Sequence, residues 1–288
     1  MRKENRDLIE IIQREFTRLS KGQKLIAQYI IDNYDKAAFM TASKLSKAVG
    51  VSESTVVRFA NALDFSGYPE LQRELQNIIK VKLTTVQRVE MARDYSGEEA
   101  ILKKMFKSDM DNIRSTQEDM DYKLFQTVVD EILIADKIYI IGLRSSTALA
   151  QYLGFYLNMI LDNVKIVGYG ISDIFEQMLR VSQKDLVIGI CFPRYSNRTI
   201  EALKYAKEQE ATIVSITDST ISPLYPISNY CLTAKNNMAS FVDSLVAPLS
   251  LINALTIAVG MRQKDEITAY FDKLEGLWDK HNVYDTVR

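Results

Sequence analysis

At 288 residues, with 47% hydrophobic and 25% charged side chains, the chain has the make-up of an ordinary soluble globular protein: one small and one medium domain, or two equals. Cys191 and Cys231 stand 40 positions apart, with no Cys-x-x-Cys spacing and no histidine nearby, which argues against a disulfide framework or a zinc site and fits a reducing cytoplasm. The net charge of −1 conceals an asymmetry: residues 1–85 carry 14 Lys and Arg against 10 Asp and Glu, while the remainder is acidic by 5, which localises attraction for phosphate at the N-terminal part.

The charged start, Arg2-Lys3-Glu4-Asn5-Arg6-Asp7, has no apolar targeting segment and argues against secretion. A helix is expected over Arg6–Leu19, then a second apolar-periodic run at Leu25, Ile26, Tyr29 and Ile30. Residues 43–63 follow as two short helices joined by a tight turn. Leu45 and Val49 form one apolar stripe; Val56, Phe59 and Leu63 form another. Gly50 sits where the first helix must end left-handed, and Ser52 is placed to cap the second. This is the helix-turn-helix pattern, whose second helix packs by one face and offers the other to the major groove. Its outward positions are Ser52, Glu53, Ser54, Thr55 and Arg58. Hydroxyls there bond phosphates or base edges, and an arginine forks onto guanine. Lys44 and Lys47 on the first helix, and Tyr68 in the Asp64–Pro69 turn, complete the expected DNA-contacting set. Tyr68 to Lys82 closes an all-α domain over 1–82.

Residues 83–99 read as a polar linker, with a helical reading open for its first half, and a second domain runs over 100–288, opening with a long amphipathic helix or helix pair from Ala100 to Glu131. Strands are then expected at Lys137–Ile141, Val164–Val167, Leu186–Ile190, Thr212–Ile216 and Asn229–Thr233. Helices are expected at Thr147–Leu161, Ile171–Val181, Arg198–Glu210 and Phe241–Arg262. The alternation predicts an α/β domain, a five-stranded parallel sheet flanked by helices, with ligands bound beyond the strands' carboxyl ends. The apolar stretch Leu245–Gly260 is too short and too polar to cross a membrane, so it reads as a buried helix.

Two strand-to-helix loops carry unusual chemistry. Gly142-Leu143-Arg144-Ser145-Ser146-Thr147 places hydroxyls and a guanidinium at a helix N-terminus, which is an anion site. Cys191-Phe192-Pro193-Arg194-Tyr195-Ser196-Asn197-Arg198-Thr199 repeats the arrangement after the third strand. The expected ligand-binding residues are Gly142, Arg144, Ser145, Ser146, Arg194, Tyr195, Ser196 and Thr199.

With Ser52–Phe59, the Phe65-Ser66-Gly67-Tyr68 turn and these two loops, nearly the whole chain resembles bacterial transcriptional regulators of the RpiR type. Such regulators join an N-terminal helix-turn-helix domain to a SIS (sugar isomerase) domain that senses phosphosugars. SIS domains usually hold the phosphate with Gly-x-Gly-x-Ser and Ser-x-Ser-Gly-x-Thr loops. Here Gly142 and Ser146 match the first loop, but Arg144 replaces its middle glycine. In the second, Cys191 stands at the first serine and Pro193-Arg194-Tyr195-Ser196 replaces the Ser-Gly element, with Thr199 near the threonine's place.

Three functions compete. The first is a sequence-specific transcriptional regulator, not an enzyme, whose operator affinity answers to a small anionic effector, a phosphosugar or a sugar acid. It would be cytoplasmic, without metal or cofactor, away from membranes, and a homodimer or homotetramer on double-stranded operator DNA. The second is a phosphosugar isomerase, which needs a poised base. The candidates are Asp173 and Asp218; the only histidine, His281, lies in what reads as a solvated tail. The third is a DNA-binding protein that uses its second domain only for assembly, through Leu245–Val259 and Ile101–Ile132. The first accounts for both the helix-turn-helix and the charged loops.

Overall fold

A computed structural model describes residues 8–82, 86, 88, 89, 97–237 and 242–284. The chain divides into two compact units, residues 1–93 and 94–288. The expected linker lies mostly outside the described residues.

The first unit is helical: α1 Leu8–Glu15, α2 Lys21–Asp32, α3 Tyr34–Ala37, α4 Ala42–Val49, α5 Glu53–Ala62 and α6 Tyr68–Lys82. The first expected helix stops short at Glu15 and finishes as a 3-10 turn, Phe16–Arg18. Ser20 opens α2, its backbone N–H donating to Gln23 Oε1 at 2.9 Å. The interior is filled by the apolar stripes of these helices, with Leu8, Ile12, Ile26, Ile30, Leu45, Val56, Phe59, Leu71 and Leu75 all buried. Val49, read as half of a buried stripe, is only half-buried.

The second unit contains α7 Glu98–Glu118, α8 Tyr122–Ile134, α9 Thr147–Ile160, α10 Ile174–Met178, α11 Asn197–Glu208, α12 Val246–Arg262 and α13 Lys264–His281. Its strands are β1 Ile138–Gly142, β2 Val164–Val167, β3 Leu186–Ile190, β4 Thr212–Thr217 and β5 Tyr230–Thr233. All pairings are parallel, in the order β2-β1-β3-β4-β5. Side chains alternate across the sheet, so Ile138, Ile140, Ile188 and Ile190 face the core beneath α8, α9 and α12. Tyr139, Ile141, Val187 and Ile213 face the other core, beneath α10 and α11.

The long segment from Ala100 is a helix pair, one of the two forms expected, broken where Asp121 caps α8 by accepting from the N–H groups of Lys123 and Leu124. The helix expected from Phe241 begins at Val246, with Pro248 in its first turn, where a missing N–H costs nothing; Phe241 itself lies outside the described residues. The 18-residue helix α13 has no counterpart among the expected elements, and His281 at its end is exposed, in keeping with a solvated tail. No described helix is long and apolar enough to cross a membrane.

Candidate functional site

Gly50 ends α4 in the left-handed region (φ +74°), where a Cβ would be strained. Thr41 caps α4 and Ser52 caps α5, each side-chain oxygen accepting an N–H from three residues on, at 3.2 Å. The Ser52 hydroxyl also bonds those of Ser54 and Thr55, both at 2.8 Å, so the three form one cluster on the first turn of α5. Glu53, Ser54, Val57 and Arg58 are exposed along α5, while Val56, Phe59 and Ala60 are buried. Arg58 is held along its own helix, with Nε on the Ser54 carbonyl at 3.2 Å and Nη2 on Ser54 Oγ at 3.3 Å. Lys44 and Lys47 are exposed on α4.

Sequence reasoning missed a neighbour. A Cβ on Gly22 would meet Thr55 at 3.2 Å, so the start of α2, with Lys21 and Lys24, abuts the start of α5. The Gln23 amide donates to the Arg58 carbonyl at 3.2 Å, fixing that junction. The signal lay in Ser20-Lys21-Gly22-Gln23, which reads locally as nothing more than a cap.

Tyr68 leaves the contacting set. It is only 4% exposed, its hydroxyl donates to the Met40 carbonyl at 2.6 Å, and burial pushes its pKa up to about 12. Gln72 and Gln76, one and two turns on, donate to Met40 and Ala38 carbonyls at 2.9 and 3.0 Å. The three side chains tie α6 to the turn between α3 and α4. That is a structural task, because it satisfies carbonyls that no helix pairs.

In the second unit β1 and β3 are hydrogen-bonded neighbours, while the chain leaves β1 for β2 on one side and returns to β3 on the other. The two loops therefore flank the point where strand order reverses, the crevice in which open parallel sheets bind ligands. α9 and α11 start there, so the positive ends of both helix dipoles lie at the crevice. Gly142 permits the first turn: a Cβ on it would lie 2.7 Å from the Ser146 carbonyl and 3.0 Å from the Ala150 side chain.

Arg144 (φ +59°) and Arg194 (φ +64°) both adopt left-handed backbone, and both are exposed. For an L-residue this costs about 1–3 kcal/mol. Ser145 is exposed, Ser146 buried, Ser196 half-buried, and Thr199 fully buried. Ser196 caps α11, accepting from Thr199 N–H at 3.4 Å, and its own N–H donates to Cys191 Sγ at 3.2 Å. Burial pushes the Cys191 thiol up to about 11, so it stands there as a neutral packing group.

Tyr195 reaches the next strand. Its hydroxyl donates to Asp218 Oδ1 at 2.7 Å, and burial together with the Asp218 charge pushes the phenol far above its usual range. Asp218, itself 6% exposed, also accepts from Thr217 Oγ1 at 3.3 Å and Ser219 Oγ at 3.2 Å. The run Thr217-Asp218-Ser219 is thus a carboxylate fully engaged in holding the second loop. Asp173 is engaged likewise: it caps α10, accepting from Phe175 N–H at 3.0 Å, and lies 3.8 Å from Arg198. His281 ends α13, exposed. Among the described residues no group of three or more His, Cys, Asp or Glu could hold a metal ion. A wider cavity of about 770 Å³, lined by Lys137, Tyr139, Asn163 and Lys165, opens near the amino ends of β1 and β2 and is separate from these loops.

Residues 6–81 match the helix-turn-helix domain of the rpiR family, and residues 131–258 match the SIS domain. HexR of Pseudomonas aeruginosa, an HTH-type transcriptional regulator, is 26% identical over 268 residues, 90% of each chain. HexR of Escherichia coli is 26% identical over 268 residues, 89% of each chain. The sugar isomerase domain of an RpiR transcription factor from Sphaerobacter thermophilus superposes with a TM-score of 0.57 at 25% identity, covering 59% of this chain and 95% of that one. The Vibrio vulnificus NanR protein, solved in complex with ManNAc-6P, superposes with a TM-score of 0.59 at 21% identity over 95% and 98% of the two chains. The chain belongs to the RpiR family of helix-turn-helix transcriptional regulators carrying a SIS domain.

Proposed function

We propose that the chain is a cytoplasmic, dimeric regulator that does not catalyse a reaction and whose hold on its operator changes when a small anionic sugar derivative, a phosphosugar or a sugar acid, enters the crevice between the β1 and β3 loops. The supporting observation is the pair of left-handed arginines. Arg144 and Arg194 stand where SIS loops usually carry glycine, and left-handed backbone is the reason glycine suits those places. Keeping arginine there costs stability twice over, which is expected of a site that uses both guanidinium groups. With the starts of α9 and α11 they make a cradle for a phosphate or a carboxylate. NanR, solved with a phosphorylated amino sugar, shares the architecture.

An isomerase would need a free base beside this cradle. Asp218 and Asp173 are both occupied as described, which favours sensing over turnover. On the DNA side, Ser52, Glu53, Ser54, Thr55 and Arg58 would read the groove while Lys44 and Lys47 meet phosphates. The test is a titration of hexose 6-phosphates, N-acetylhexosamine 6-phosphates and sugar acids against a labelled operator, paired with thermal melts. A binding ligand raises the melting temperature and shifts operator affinity by roughly 5–150-fold. Ligands that bind and leave operator affinity unchanged refute the reading.

A further inference from the structure

Beyond the two loops, one buried side chain past the carboxyl end of β5 has no hydrogen-bond partner among the described residues. Asn236 is 1% exposed, and neither its amide nitrogen nor its amide oxygen has a hydrogen-bond partner among the described residues. A buried amide left bare at both ends costs folding free energy and calls for a partner from outside the chain.

Strand register aligns the strand ends that precede it. Gly142 pairs with Ile190, Ile190 with Ile216, and Ile216 with Leu232, so these four residues form one line across the sheet. Ser146, Arg194 and Asn236 each lie four residues beyond that line, all past the carboxyl ends of their strands. β5 stands two strands from β3, about 10 Å away. A phosphorylated hexose can bridge that span; a phosphate alone cannot.

The segment is also pinned on both sides of Asn236. Lys235 N–H donates to Thr116 Oγ1 at 2.8 Å, and its ammonium lies 2.7 Å from Asp119. Asn237 N–H donates to Asn112 Oδ1 at 3.1 Å, and its carbonyl accepts from Asn112 Nδ2 at 3.3 Å. Asn112 is fully buried on α7, so the clamp is internal. Its effect is to hold the backbone around Asn236 in place while leaving the Asn236 side chain uncommitted.

We propose that Asn236 is an effector-contacting residue, its amide giving one donor and one acceptor to the sugar hydroxyl or carbonyl groups while the arginine loops take the anionic end. This rests on the effector reading above. The experiment compares wild type, Asn236→Leu and Asn236→Ala by calorimetric titration with inorganic phosphate and with the hexose 6-phosphate that binds wild type best, alongside unliganded melting curves. Both variants are expected to bind the hexose phosphate about tenfold or more weakly and inorganic phosphate as wild type does. Their unliganded melting temperature holds or rises by about 2–4 °C, because an unsatisfied amide has been removed. Unchanged hexose-phosphate affinity overturns the assignment. So does a loss of unliganded stability, which would mean an internal partner such as a bound water already satisfies Asn236. Wild-type protein that binds none of the probes sinks the effector reading and the assignment with it.

Discussion

Single side chains divide here into those that hold the fold and those left facing outward. Tyr68 shows the first kind, and Tyr68→Phe is expected to lower stability by about 1 kcal/mol in urea denaturation while leaving operator affinity unchanged. Arg58 shows the second: Arg58→Ala should weaken specific binding by about 1–3 kcal/mol in gel-shift titrations if it reads a base. An equal loss on every sequence would instead mark a phosphate contact. Arg144 combines strain with exposure, so Arg144→Gly should melt higher than wild type, by relief of its left-handed backbone, and respond poorly to effector. The Cys191 thiol gives a pH signature. Its folded pKa of about 11 lies above the ordinary value near 9, so the unfolded chain loses that proton first. Its contribution is complete below about pH 9 and disappears as pH rises through about 11. Cys191→Ala should flatten that part of the stability profile relative to wild type.

At the scale of elements, helix starts and a few buried polar groups decide where segments stop and dock. Ser52 anchors the hydroxyl cluster that opens α5 and caps the Thr55 N–H. Asn112 is the more demanding case, because both ends of its amide serve the backbone of Asn237. Asn112→Ala would strand two backbone groups and cost about 1–3 kcal/mol of stability, measurable by chemical denaturation. These elements also show what local pattern conveys. The Gly50 turn and the Ser52 cap were legible because they rest on backbone geometry within a few residues. The late start of α12 was not, because tertiary contacts choose among several acceptable caps.

For the molecule as a whole, α7 carries the surface expected to form the proposed dimer. Leu102, Phe106, Met110 and Ile113 recur along α7 and are 56%, 62%, 59% and 37% exposed. A stripe of that width left in water is expected to pack against a second copy in the proposed dimer. Phe106→Glu combined with Met110→Glu should give a monomer by light scattering. Operator affinity should then fall by roughly 10²–10⁴-fold, because two linked reading helices bind far more tightly than one. A dimer that survives the double substitution would place the interface elsewhere, with the exposed apolar side chains of α12 next to examine.

The sequence by itself determined the five strands and their parallel alternation with helices, the helix-turn-helix and the two charged loops, because periodicity, caps and turn glycines act over short range. Tertiary structure alone decided that Tyr68 is internal, that Asp218 is spent on Tyr195, and that Asn236 is buried with no hydrogen-bond partner among the described residues. Each of those depends on which groups from distant segments come within hydrogen-bond reach. A chain read in order cannot supply that.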